Sequence, residues 1–90
     1  MATVIVITKL MPESPSVDMA AMKKAATLAL EKEGGKNISI EEKPIAFGLK
    51  ALYVKTDMDE SKGTDLIEEV LGKIPNVSSV TIEDYRRAFG

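Results

Sequence analysis

The sequence predicts an α+β fold, a four-stranded antiparallel sheet with two helices packed on one of its faces. Three observations carry this. Short β-branched or alternating runs occur at Thr3–Leu10, Lys36–Ile45, Leu49–Thr56 and Val77–Tyr85. Two stretches between them, Asp18–Lys32 and Thr64–Lys73, place apolar residues at three- and four-residue steps, the spacing of one helix face. The second and third runs are separated by a tight reversal only. The order is therefore βαββαβ, two β-α-β halves with right-handed crossovers, in one domain over residues 1–90.

Each element follows from its own residues. In Thr3–Leu10 both parities are apolar (Val4 and Val6, Ile5 and Ile7), which suits a central strand covered by helices on one face and partly shielded on the other. Pro12 and Pro15 end it and stiffen the connector. Asp18 is placed to cap the first helix, and Met19, Met22, Ala26, Ala29 and Leu30 form its buried stripe. Gly34-Gly35 supplies the left-handed stop.

The second strand alternates around Ile38 and Ile40, and Pro44 assigns it to an edge or a bulge. Ile45-Ala46-Phe47-Gly48 reverses the chain, with Gly48 free to take positive φ, so the second and third strands form a hairpin. Asp57–Gly63 is polar and reads as a flexible loop. Thr64 is expected to cap the second helix, whose buried stripe is Ile67, Val70, Leu71 and Ile74. Pro75-Asn76 breaks that helix. The last strand carries Val80 and Ile82 on one parity and leads to a cationic end, Arg86-Arg87-Ala88-Phe89-Gly90. This arrangement is the ferredoxin-like sandwich, and it leaves one sheet face and the loops for function.

Composition removes most chemistry. The 90 residues include no Cys and no His, so thiolate metal sites, redox motifs, thiol nucleophiles and His-dependent triads are excluded. Twelve basic against fourteen acidic side chains give a net charge of −2, which provides no field for a phosphate backbone. The run Val4-Ile5-Val6-Ile7 is far too short to span a bilayer and lacks the flanks of a signal peptide. A cytoplasmic binding or regulatory protein with no cofactor, no metal, no catalytic residues, no direct nucleic-acid contact and no membrane contact is expected, monomeric when free. The acidic run Asp57-Met58-Asp59-Glu60 lacks the Gly and terminal Glu of a calcium loop and reads as solvated.

Two features stand out as candidate contacts. Phe47, between Ala46 and Gly48 at a hairpin tip, has few neighbours in its own element; it either folds back on the core or serves as an exposed aromatic anchor. Lys50 follows it two residues past Gly48. At the other feature, Arg86 and Arg87 at the chain end either serve solubility or enter a partner's anionic pocket, where guanidinium suits carboxylate and phosphate.

Together, four segments resemble the translation elongation factor 1-beta family, guanine-nucleotide exchange factors for elongation factor 1-alpha, in their short archaeal form. They are Val6–Pro15, Lys43-Pro44-Ile45-Ala46-Phe47-Gly48-Leu49-Lys50-Ala51-Leu52, Lys62–Glu69, and Asp84-Tyr85-Arg86-Arg87-Ala88. The run from Pro44 to Leu52 is the most specific of them. The resemblance implies the same ferredoxin-like fold, no bond chemistry, and a GTPase partner whose switch region and Mg²⁺ site are disturbed so that GDP leaves and GTP enters. It implies partner contacts at Phe47, Gly48, Lys50, Arg86 and Arg87, with Phe47 pressing on the GTPase switch helix. Arg87 aligns with a Lys that in eukaryotic members is thought to intrude on the Mg²⁺ position, and Arg differs from it in length, shape and hydration. Eukaryotic forms also carry an N-terminal assembly region, and no counterpart is expected here.

Two further readings compete. A small-ligand-binding regulatory domain on the same fold would oligomerise through its open sheet, although Met11–Ser16 offers no Gly-rich first loop. A phosphate-ester or acyl-phosphate hydrolase would need a phosphate-cradling loop with Arg, which the same segment lacks.

Overall fold

The computed structural model describes residues 2–88; Met1, Phe89 and Gly90 lie outside them. The chain forms β1 (Thr3–Pro12), α1 (Met19–Lys32), β2 (Lys36–Pro44), β3 (Lys50–Asp59), a 3₁₀ turn (Glu60–Lys62), α2 (Gly63–Gly72) and β4 (Val77–Arg87). The strands order β2-β3-β1-β4, and every pairing is antiparallel. This is the expected ferredoxin-like architecture, and β2, with Pro44 at its end, is an edge strand as predicted.

The core lies between the sheet and the helices. Val4, Val6 and Leu10 of β1 meet Leu52, Val54 and Met58 of β3, with Met22, Ala26 and Leu30 of α1 and Ile67 and Leu71 of α2 above them. Alternation places Ile5 and Ile7 on the opposite face, where they are half-buried without joining that cluster. On that open face Lys43 holds its ammonium 4.7 Å from the Tyr53 ring centre, a cation–π contact between neighbouring strands.

α1 starts as the sequence indicates. Asp18 sits in extended backbone and its carboxylate accepts a hydrogen bond from the Ala21 amide at 3.2 Å. At the other end the Gly35 amide donates to the Leu30 carbonyl at 2.8 Å after Gly34 takes φ 87°.

Beyond one-residue shifts at the ends of β2, β3 and α2, four features differ from the sequence-based expectations. β1 continues to Pro12, because Met11 and Pro12 still pair with β4. The segment 57–59 is strand rather than loop: Asp57, Met58 and Asp59 pair with Ile5, Val4 and Thr3, and Met58 is buried in the core. Thr64 does not cap α2, which begins at Gly63 directly from the 3₁₀ turn. The preceding Lys62 is already helical at φ −73°, ψ −36° and makes no side-chain cap. Asp59 caps the 3₁₀ turn instead, accepting from the Ser61 amide at 2.9 Å, and that bond holds its carboxyl below the usual carboxylate range. Finally, β4 extends through Arg86 and Arg87, which pair with Ile5 and Val4 of β1.

α1 is tied to β2 by an ion pair, Lys23 Nζ to Glu42 Oε2 at 2.7 Å. The Lys23 hydrogen bond holds the Glu42 carboxyl below its ordinary value of 4.5. Because the folded-state value is depressed, the pair contributes above the unfolded-state value and is lost as pH falls through the folded one. The expected result is that Glu42→Gln melts below the native chain at neutral pH. The two melting curves should converge as pH falls through the lowered Glu42 value, read by circular dichroism.

Candidate functional site

The β2–β3 hairpin tip is built by a turn with an unusual central residue. The Leu49 amide donates to the Ala46 carbonyl at 3.1 Å, and the Ile45 amide donates to the Leu49 carbonyl at 2.9 Å. Between them both Phe47 and Gly48 have positive φ, 59° and 78°. Positive φ at both central residues is the pattern of a type I′ turn, whose twist matches the flanking strands. Asparagine or aspartate is the usual first residue there, and a bulky side chain in that region is strained by about 1–3 kcal/mol. Phe47 is also 94% exposed. Local strain and an unburied aromatic coincide at one residue, which settles the sequence alternative: Phe47 does not fold back on the core.

Gly48 and Lys50 adjoin a groove of about 270 Å³ that also takes in Pro12, Pro15, Val17 and Met19. Lys50 is the first residue of β3 and lies close enough to Glu42 to help lower its pKa. Phe47, Gly48 and Lys50 therefore share one end of the molecule.

The arginines occupy the other end. Arg87 pairs with Val4 and Arg86 with Ile5, at the start of β1, whereas the hairpin flanks the Leu10–Leu52 rung near its finish. Six steps of about 3.3 Å separate those rungs by about 20 Å, and Phe47 lies five residues beyond Leu52. The tip and Arg87 thus stand more than about 30 Å apart, within a long axis of 41 Å. The structure does not bring the predicted contacts into one site.

The two arginines also differ from each other. A register shift in the β1–β4 pairing between Ile7 and Thr8 leaves Glu83 as an extra residue. Val80 and Ile82 face the helices before it, and Tyr85 and Arg87 take that side after it. Arg86 falls on the open face and pairs with Asp84 at 2.9 Å. Arg87 binds one oxygen of Glu60 through Nε at 3.0 Å and Nη2 at 2.7 Å. Tyr85, 42% exposed, borders a hollow formed with Lys62, Gly63, Thr64 and Asp65 at the start of α2.

Sequence reasoning missed Tyr85, Glu60 and the bulge. The signal was available in β4, where the apolar positions switch parity between Ile82 and Tyr85. Among the described residues no group of three or more acidic side chains is placed to hold a metal ion, and no helix is long and apolar enough to cross a membrane.

Comparison with known proteins places the chain in a family. Residues 5–88 match the EF-1 guanine nucleotide exchange domain. The chain belongs to this family. The elongation factor 1-beta of Methanobrevibacter smithii is 43% identical over 88 residues, covering 97% of this chain and 98% of that protein. The elongation factor 1-beta of Methanothermobacter thermautotrophicus is 42% identical over 88 residues, with the same coverage of both chains. That of Methanocella arvoryzae is 40% identical over 90 residues, covering 99% of this chain and 100% of its own.

Among solved structures, LarC2, the C-terminal domain of a cyclometallase involved in the synthesis of the NPN cofactor of lactate racemase, superposes with a TM-score of 0.67 at 8% identity. This chain is covered to 99% and LarC2 to 58%. At that identity the likeness shows the fold alone. As an EF-1 guanine nucleotide exchange domain, the chain promotes replacement of GDP by GTP on elongation factor 1-alpha in translation elongation. The exchange reaction makes and breaks no covalent bond, in keeping with a sequence that has no His and no Cys. The small-ligand regulatory alternative is not favoured.

Proposed function

We propose that this exchange domain grips elongation factor 1-alpha at two separate points. The cationic end, with Arg87 foremost, enters the Mg²⁺ and phosphate region of the nucleotide site. The Phe47 tip, with Gly48 and Lys50 beside it, anchors the domain elsewhere on the GTPase. The sequence-based expectation set Phe47 against the switch helix and Arg87 at the Mg²⁺ position. Their separation of more than about 30 Å allows only one of them to bear on a single nucleotide pocket.

The observation that carries this reading is the strained, 94% exposed Phe47 at the far end from the arginines. A desolvated aromatic is the side chain that most often dominates an interface. Binding at two ends that is tighter to the nucleotide-free GTPase must weaken nucleotide by the same factor, since the coupling is reciprocal. A free monomer acting in the cytoplasm, with no nucleic-acid contact of its own, completes the proposal.

The test is release of fluorescent GDP from the preloaded GTPase in excess unlabelled nucleotide. Native protein should accelerate release, and no acceleration at micromolar protein would reject the reading. Arg87→Ala should slow exchange by at least about tenfold, the range for losing a charged contact at an interface. Arg86→Ala, which removes a group already paired with Asp84 on the open face, should cost less than about threefold. Equal effects of the two substitutions would reject the assignment to Arg87.

A further inference from the structure

We propose that Glu60 is a latch for Arg87: it holds the guanidinium in a resting position and competes with the partner for it. The inference rests on the reading of Arg87 as the group that enters the partner's anionic site.

Both sides of the contact are fixed by backbone. The Glu60 amide donates to the Ala2 carbonyl at 2.9 Å, and Asp59 caps the turn that carries Glu60. The Ala88 amide donates to the Thr3 carbonyl at 2.9 Å, which pins the end of β4 beside the same strand. The bulge at Glu83 then turns Arg87, not Arg86, toward this turn. Nε and Nη2 converge on a single Glu60 oxygen, so two of the guanidinium's five donors, those of its Nε–Nη2 edge, are occupied before any partner arrives.

The pair is solvent-exposed, with side chains 56% and 40% accessible, so it opens at small cost. A partner offering phosphate or carboxylate to the Nε–Nη2 edge must nevertheless displace Glu60. Once it has done so, the Glu60 charge remains beside the anionic site and opposes entry. Glu60 is thus a positioning residue that acts through Arg87 and lowers the affinity of the encounter without preventing it.

A double-mutant cycle tests this in the nucleotide-release assay with subsaturating factor, using the native chain, Glu60→Gln, Arg87→Ala and the double variant. Glu60→Gln should raise the second-order rate about two- to fivefold, the range set by an exposed ion pair. The gain should appear in KM, with kcat unchanged. It should vanish, to within about 1.5-fold, when Arg87 is already Ala. Raising salt from about 0.05 M to about 0.5 M should shrink it, because exposed pairs are screened. In the free domain, the Arg87 Nε–H resonance should shift on Glu60→Gln.

Several results overturn the latch. A slower or unchanged Glu60→Gln with Arg87→Ala still strongly impaired refutes it and leaves the role of Arg87 standing. A gain of equal size in both backgrounds shows that Glu60 acts by another route. Normal exchange by Arg87→Ala overturns the latch together with the reading on which it rests.

Discussion

Phe47→Gly should make the free domain more stable and at the same time cut exchange at least tenfold. The two effects come from different atoms. At φ 59° the Phe47 backbone sits where only glycine rests without steric cost, and the residue is 94% exposed. Glycine relieves about 1–3 kcal/mol of strain and gives back part of it through the greater freedom of the unfolded chain. A net gain of about 1 kcal/mol raises the melting temperature by about 4–8 °C in a domain of this size. Loss of the ring removes an aromatic anchor, for which truncation typically costs 2 kcal/mol or more in binding. Phe47→Ala separates the causes, because alanine keeps the strain at this φ and lacks the ring: it should cut exchange without the gain in stability. Thermal melting and GDP-release kinetics on the three proteins check both halves. A less stable Phe47→Gly would contradict the strain, and unimpaired exchange would contradict the anchor.

Gly35→Ala should produce the largest loss of stability, about 2–3 kcal/mol or more than about 10 °C in melting temperature. Here conformational freedom is not the reason; space is. A Cβ at this position would lie 2.9 Å from the Leu30 carbonyl oxygen and 2.9 Å from Thr56 Oγ1. The first of these atoms is backbone at the end of α1, and the second is fully buried, so neither can move aside cheaply. The same approach lets the Gly35 amide reach Leu30 at 2.8 Å and satisfy a carbonyl at the helix end. Chemical denaturation of the variant gives the value directly. Exchange activity per folded molecule should remain normal, since Gly35 belongs to neither end contact.

Most of the fold was legible because parity and helical spacing were clean. Val4, Val6 and Leu10 on one side of β1, and Met22, Ala26 and Leu30 along α1, are the core that the spacing marks. The carboxylates of Asp57 and Asp59 concealed the end of β3. Those residues alternate outward around buried Met58, a strand pattern masked by charge density. The cap of α2 misled for a different reason: a 3₁₀ turn leads into the helix through Gly63 at φ 73° and ψ 162°, so the entry is set by a glycine backbone rather than by the Thr64 hydroxyl.

The site was half legible. The sequence singled out Phe47 and Arg87, but neither their distance nor their surroundings can be read from a linear pattern. Separation depends on which strand ends pair, and the Glu60 contact spans 27 positions in sequence. The strain at Phe47 was concealed too, because Gly48 offered itself as the residue to take positive φ, and the turn requires it of both.

The rigid sheet between the two ends has a mechanical consequence. β1 and β3 form a spacer whose length is set by hydrogen-bonded rungs and cannot stretch appreciably without breaking them. Under the proposed two-point grip, such a body acts as a gauge of its target. It fits fully only when the two receiving points on the GTPase stand at the same interval. A shape of the GTPase that misses that interval loses one contact or the other. The factor would then respond to nucleotide through the dimensions of its partner, and a hairpin lengthened by two residues on each strand, about 7 Å of added reach, would retune which shape it selects.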